Sequence, residues 1–159
     1  ERRLPASFRG IICAMSTYHF TYDIPVRYGD LDPQGHLNNA RFVSFIEQGR
    51  FSYVRTLGLW DGNSFEDLGL IVADVHVTYL APVYFNQTVR VGVRVSRLGN
   101  KSMDFAYELT DAADGKLLAR AETVMVSYDY HTDQSTPIPD AWRQIISDYE
   151  GIPMREPHA

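Results

Sequence analysis

Residues 39–57 read Asn39-Ala40-Arg41-Phe42-Val43-Ser44-Phe45-Ile46-Glu47-Gln48-Gly49-Arg50-Phe51-Ser52-Tyr53-Val54-Arg55-Thr56-Leu57. Phe42, Phe45, Ile46, Gly49, Tyr53 and Leu57 recur at the three- and four-residue spacing of one helix face. Asn38 has the chemistry of an N-cap and Gly58 that of a helix stop. Nineteen residues predict a helix about 28 Å long. Val43, Phe51 and Val54 occupy its other faces, so it is apolar over more than half its girth. A helix of that kind is covered by more than one surface.

The other patterned segments of the chain read mainly as strands. Phe20, Tyr22, Ile24, Val26 and Tyr28 alternate with polar residues, which predicts a strand with one buried face. Pro25 lacks an N–H and predicts an edge position or a bulge there. Residues 71–79, 89–95 and 103–109 alternate with period two, and 89–95 carries valine at every odd position. The run 117–130 switches its apolar parity near Thr123, which predicts a bulge at that point. Leu98-Gly99-Asn100 and Asp111 to Lys116 are short polar links suited to hairpins, and 139–149 predicts a short terminal helix. The order strand, long helix, four strands predicts an α+β fold: an antiparallel sheet of five or six strands curled around one long central helix.

Composition removes several classes of function. The chain has 159 residues, 45% hydrophobic and 22% charged, with a net charge of −5. That suits one folded domain and not a disordered chain. An acidic chain without a basic block is a poor nucleic-acid partner. No apolar run approaches the roughly 18 residues that span a membrane, so no membrane association is expected. Cys13 is the only cysteine, which excludes a disulfide framework and points to a reducing, cytoplasmic setting. Residues 1–17 precede the patterned region, with Met15 as a candidate start. They are set apart as an N-terminal extension, with 18–149 as a single domain and 150–159 as a tail. No serine-nucleophile elbow and no phosphate-binding glycine loop is present. His19, His76 and His131 are expected on strands, without a second ligand at metal spacing, so neither metal nor cofactor is expected.

The chemistry concentrates in Arg27-Tyr28-Gly29-Asp30-Leu31-Asp32-Pro33-Gln34-Gly35-His36-Leu37-Asn38-Asn39. Two carboxylates, an imidazole and two amides sit in a loop that runs into a helix N-terminus. Such a terminus offers unpaired N–H groups and partial positive charge to an oxyanion. A neighbouring carboxylate can take a proton from water or attack a carbonyl, and the set suits acyl transfer. The same residues also make a good turn and a good cap, so composition alone leaves both readings open.

This segment, continued by Glu47 and Arg50 on the helix, resembles the signature of the hotdog-fold acyl-CoA thioesterases, in the 4-hydroxybenzoyl-CoA thioesterase-like branch. Val75 to Pro82 resembles the family's second strand and Leu98 to Ser102 its hairpin, so the likeness spans about residues 20–130 in the order that fold requires. The resemblance implies a hotdog fold and hydrolysis of an acyl-CoA thioester to free acid and CoA, without a cofactor. It implies that Asp32 is the base or nucleophile and that the backbone N–H of Asn39 polarises the thioester carbonyl. His36 and Asn38 match positions that orient the loop or the substrate, and Asp30 one that ties the loop down. Glu47 matches a helix position that faces the site in some members, and it is also placed to pair with Arg50 at i,i+3. The resemblance further implies a homodimer, or a homotetramer of paired dimers, with sites at the dimer interface.

Arg90, Arg94, Arg97 and Lys101 concentrate positive charge near Ser102. They are read either as a solvated sheet face or as a cradle for the CoA phosphates, with Arg94, Lys101 and Ser102 the expected substrate contacts. Tyr53, Trp60, Phe65 and Phe85 are candidates for an acyl pocket or for the core. Two alternatives accompany the thioesterase reading: a hotdog dehydratase or hydratase built on His36 and Glu47, and a non-catalytic acyl-CoA-binding module.

Overall fold

A computed structural model describes residues 18–64 and 66–153. The extension 1–17 with Cys13, Phe65, and residues 154–159 of the tail lie outside the described residues. The chain forms β1 (Phe20–Pro25), α1 (Asn39–Thr56), β2 (Leu70–Tyr79), β3 (Thr88–Leu98), β4 (Ser102–Asp111), β5 (Leu117–Asp129), β6 (Gln134–Ser135) and α2 (Asp140–Glu150). The sheet is antiparallel in the order β1-β3-β4-β5-β2, and the short β6 pairs with β5. β3–β4 and β4–β5 are the expected hairpins. β2 crosses to the far edge and pairs with β5.

The period-two pattern does in space what it promises. Val89, Val91, Val93 and Val95 of β3 and Met103, Phe105, Tyr107 and Leu109 of β4 are buried on one face. α1 lies on that face through Phe42, Phe45, Ile46, Gly49, Tyr53 and Val54. Gly49 sits where helix and sheet come closest. A Cβ there would stand 2.9 Å from one methyl carbon of Val91 and 3.2 Å from one of Val93. Asn38 caps α1 by accepting from Ala40 N, and Gly58, at φ +69°, follows its end. A left-handed residue after the last turn is the usual place for glycine.

α2 closes the fold from the side. Oε1 of Glu150 accepts from the Tyr53 hydroxyl at 2.7 Å and from Val95 N at 3.1 Å. Burial, reinforced by that carboxylate, holds the Tyr53 phenol far above the usual tyrosine range. The buried Arg143 donates to the carbonyls of Ile138, Gly99 and Asn100, fastening the β3–β4 hairpin to α2.

Four sequence expectations need correction. β1 stops at Pro25, opposite Thr88, and Tyr28–Asp30 form a 3-10 turn that leaves Tyr28 82% exposed. Proline has no N–H to extend the ladder, so the strand ends where its pairing ends. The bulge in β5 falls at Leu118, which the register skips between Ala119 and Leu117, and not near Thr123. Residues 119, 121, 123, 125 and 127 stay buried throughout, and the parity switch reflects half-buried Val124 and Val126 on the other face. The apolar girth of α1 predicts cover by more than one surface, but the helix packs chiefly on β1 and β3 of the one sheet and leaves Val43 37% exposed. His131 lies in the turn after β5 and His19 in a bend before β1, so only His76 is on a strand.

The Gly49 contact gives a stability test. Gly49→Val puts three carbons into space already held by Val91 and Val93, and overpacking of this kind costs about 1–3 kcal/mol. Urea denaturation should show a loss of about that size. A variant as stable as the parent would show that the helix is not pressed against β3.

Candidate functional site

The loop between β1 and α1 is a tight hairpin pinned from both ends. Asn38 N donates to Asp30 O at 2.9 Å, Leu31 and Leu37 form a bridge, and Asp32 N donates to His36 O at 2.8 Å. Gly35, at φ +81°, turns the chain and donates to Asp32 O. Leu37 N bonds Val83 O, and His36 bridges Tyr84, so the hairpin is laid on the connection between β2 and β3.

Asp30 holds the base of the loop. Its carboxylate is buried, accepts from Arg27 N at 2.9 Å, and stands 3.6 Å from Arg27 Nε and 3.5 Å from Arg41 Nε. Asp32 is half-buried at the tip side. Its Oδ1 accepts from Gln34 N at 2.9 Å and His36 N at 3.2 Å, while Oδ2 has no hydrogen bond among the described residues. One carboxylate oxygen therefore fixes the turn and the other is open.

The start of α1 shows the same division of labour. Ala40 N is taken by the Asn38 side chain and Arg41 N by Asn38 O. Asn39 N, the first N–H of the helix, has no partner among the described residues. Asn39 O accepts from the Tyr79 hydroxyl at 3.2 Å, which ties the helix end to β2. The His36 ring packs edge-on against Tyr84 at 5.1 Å.

Glu47 is two turns along α1, about 12 Å from its N-terminus. Its side chain is 57% exposed and stands 3.9 Å from the Arg50 guanidinium. Both line a cavity of about 240 Å³ between α1 and the β2 edge, walled by Phe51, Val54, Leu68 and Met125. Tyr53 and Trp60 are buried in the core, and Phe85 lies exposed against Tyr28. Leu68 and Met125 line the pocket instead, and sequence reasoning missed them; Arg50, read from sequence only as a signature position and a partner for Glu47, lines it too. The signal available was Arg50 itself, a charged residue between the apolar positions Gly49 and Phe51.

The basic residues are mostly spoken for. Arg90 forms a two-pronged pair with Asp23, Arg97 does the same with Asp104, and Arg120 pairs with Glu108. Asp23 is held below, and Arg90 and Arg97 above, their ordinary ranges by these hydrogen bonds. The Lys101 ammonium is on Ser135. Arg94 lies over the Tyr18 ring at 5.9 Å, its Nε buried without a hydrogen bond among the described residues. Ser102 begins β4, and its carbonyl closes the hairpin from Gly99 N. The loop between β1 and α1 sits at the Thr88 end of β3 and this hairpin at the Leu98 end, about 33 Å away along the strand. Within one subunit, Arg94, Lys101 and Ser102 do not meet Asp32. Among the described residues, no group of three or more His, Cys, Asp or Glu side chains is placed to hold a metal ion. No helix among them is long and apolar enough to cross a membrane.

The sheet, its strand order and the single enclosed helix make this a hotdog fold. The family profile of the thioesterase-like superfamily matches residues 26–146, and the chain belongs to that superfamily, whose class of chemistry is thioester hydrolysis. It is 25% identical over 126 residues to the long-chain acyl-CoA thioesterase FadM of Escherichia coli, covering 76% of this chain and 92% of that protein. It is 24% identical over 133 residues to the 1,4-dihydroxy-2-naphthoyl-CoA hydrolase of Synechocystis, covering 82% and 96%. A thioesterase from Thermus thermophilus, solved with coenzyme A and Zn, superposes with a TM-score of 0.73 at 33% identity, covering 84% of this chain and 95% of that one.

The anchoring of the loop can be tested apart from its chemistry. Asp30→Ala leaves Arg27 N without its acceptor and removes the counter-charge of two arginines. The lost bond is part-buried and goes to a charged acceptor, a kind worth about 1.5–3 kcal/mol. A stability loss below about 0.5 kcal/mol in urea melts would mean that the loop is held by its backbone bonds alone.

Proposed function

We propose that the chain is an acyl-CoA thioesterase in which Asp32 is the base or nucleophile and Asn39 N–H the oxyanion donor. The observation that carries this reading is the pairing of two open groups on one anchored loop–helix junction: the Oδ2 of Asp32 and the first amide of α1. Asp32 Oδ1, the amides of Ala40 and Arg41 and the carbonyl of Asn39 are all used internally, whereas these two have no partner among the described residues. In the general-base route, Asp32 takes a proton from water as the oxygen attacks the thioester carbon. The negative oxygen that forms is met by Asn39 N–H and by the positive end of α1. Collapse breaks the C–S bond, and the proton on Asp32 passes to the departing CoA sulfur. In the nucleophilic route, Asp32 attacks the same carbon, expels CoA thiolate and leaves an anhydride that water cleaves. Asn38 and His36 hold the junction in shape, one as cap and one as the far side of the turn.

The hydratase alternative needs His36 and Glu47 at one reacting centre. Glu47 stands beside Arg50 two turns down α1, and the His36 ring stands against Tyr84, so the geometry within a subunit favours the thioesterase. The single domain 18–149 and a cytoplasmic setting belong to the same proposal.

A homodimer completes it, with tetramers as paired dimers. β2 is a sheet edge whose Ile71, Val72, Val75 and Tyr79 are all substantially exposed. An apolar edge of this length invites pairing. Two β2 edges joined antiparallel about a two-fold axis set Tyr79 of one protomer near the partner's Leu70. Ile71, Val126 and Ser102 are successive neighbours across β2, β5 and β4. That pairing therefore swings the partner's hairpin toward the junction of Asp32 and Asn39, where the partner's Arg94, Lys101 and Ser102 could meet the CoA moiety.

Two experiments test these claims. Asp32→Asn should keep the fold and acyl-CoA binding while turnover falls by about 10²–10⁴; more than a tenth of parental turnover would remove Asp32 from the chemistry. In the same assay Asn39→Pro should lose about 10²–10³ in kcat and Asn39→Ala much less. Proline suits the first helical position, and the extended Asn38 at ψ 139° accepts a following proline. Equal losses in folded proteins would shift the role to the side chain. For the shared site, Asp32→Asn protein is mixed with a variant altered at Arg94 and Lys101, after dissociation and reassembly. Heterodimers then hold one intact site in two, so activity should return to up to about half. Exchange proven by mass spectrometry without recovered activity would show that each subunit holds its own site.

A further inference from the structure

The cavity between α1 and β2 is bordered by a buried cation that the reaction above does not use. Arg50 is only 7% exposed, yet its guanidinium has a single hydrogen bond among the described residues, to the Tyr107 hydroxyl at 3.5 Å. Glu47 lies beyond hydrogen-bond reach at 3.9 Å and is turned to the surface. An arginine carries five N–H donors, and no nitrogen of Arg50 is both fully buried and unpartnered among the described residues, so its remaining donors are open to the cavity. Tyr107 is itself occupied by Thr123 at 2.9 Å. Arg50 borders a cavity of about 240 Å³ whose other walls are mostly apolar, with Phe51, Val54, Leu68, Leu70 and Met125 joined by Glu47 and Tyr130.

The cavity lies in line with the site. Asn39, Val43, Glu47, Arg50 and Val54 succeed one another at four- and three-residue steps, so they share one face of α1. Tyr79 of β2 is bonded to the Asn39 end of that face, and Leu70 and Val72 border the cavity at the other. Between the two ends lie Val43 on α1 and Val75 on β2, both partly exposed. Helix side chains lean toward the N-terminus, which brings the guanidinium of Arg50 back to the level of Glu47, about 12 Å from the Asn39 amide. An extended chain advances about 1.2 Å per bond, so roughly ten bonds cover that distance.

We propose that Arg50 is a specificity-determining residue that donates hydrogen bonds to an oxygen acceptor at the far end of a medium-length acyl group, whose chain lies between α1 and β2 while its thioester carbonyl sits at Asn39. This rests on the thioesterase reading and adds the class of acyl group to it. Apolar walls accept the methylenes, and an uncharged hydroxyl at the tip supplies the acceptor without displacing Glu47. A carboxylate meets the same donors but also the Glu47 charge, and ranks below the hydroxyl.

The test compares decanoyl-CoA, 10-hydroxydecanoyl-CoA and the ω-carboxy analogue of the same length. For the parent protein, kcat/KM should favour the hydroxylated substrate over decanoyl-CoA by about tenfold, the scale of one hydrogen bond from a charged donor. Arg50→Met should erase or invert that ratio, and Arg50→Lys should keep part of it; a structural role alone would slow all three substrates together. Equal kcat/KM for decanoyl- and 10-hydroxydecanoyl-CoA in the parent would overturn the proposal without any variant, while leaving the thioesterase reading intact. A reversed order, with the carboxylate first, would overturn the assignment of a neutral acceptor. Binding of the uncleavable S-decyl- and S-(10-hydroxydecyl)-CoA thioethers, measured by calorimetry, separates the two readings. If no acyl-CoA is cleaved, the thioesterase reading falls, and the thioether pair still decides whether Arg50 reads the distal oxygen.

Discussion

The contact between Gly49 and the valines of β3 sets the geometry on which the rest depends. Without a side chain at Gly49, α1 settles onto Val91 and Val93 at a distance that any larger residue would forbid. That closeness fixes the height and direction of the helix over the sheet. The N-terminus of α1 then emerges beside the connection between β2 and β3, where Val83 and Tyr84 receive the hairpin of Leu37 and His36. The carboxylate of Asp30 locks the base of that hairpin. Asp32 Oδ2 and the amide of Asn39 are left without a partner among the described residues, while Asp32 Oδ1, Asn38 Oδ1 and Asn39 O are all engaged.

Much of this was legible in the amino-acid order. Alternation of apolar residues in β3 and β4 and the change of period at Asn39 define sheet and helix without tertiary knowledge, because each pattern has one way of burying its apolar side. Asn38 and Gly58 mark the ends of α1 through local chemistry alone. What was not legible depends on long-range partners. The end of β1 was hidden because Tyr28 continues the alternation, although Pro25 carried the signal. The bulge at Leu118 was misplaced because an apolar residue on the outer face of β5 looks, in sequence, like one that has changed sides. The ion pairs of Arg90 with Asp23 and Arg97 with Asp104 join different strands, so nothing local announces them. The pocket at Arg50 needs β2 to lie beside α1, which only the crossing of β2 to the far edge provides.

The distribution of charge follows from the same geometry. On the outer face of the sheet, arginines and carboxylates are matched across neighbouring strands, and the hairpin at Gly99 to Ser102 is fastened by Arg143 and Lys101. Those residues contribute order at the Leu98 end of β3, while the proposed junction of Asp32 and Asn39 lies at the Thr88 end. The proposed two-fold pairing of β2 edges is what would bring one copy's hairpin to the other copy's junction.

The placement of β2 also bears on how the chain is made. It leaves the ribosome directly after α1, yet its one strand partner, β5, follows only after the whole of the β3–β4 hairpin. During that interval the nascent chain carries a free strand rich in valine, and contacts between distant segments form slowly. The last turn of α2 must then arrive before Glu150 can bond Tyr53 and Val95. Synthesis speed and holding by chaperones between residues 80 and 117 thus become determinants of yield for this protein, and slowing translation downstream of β2 should divert more of it into aggregates.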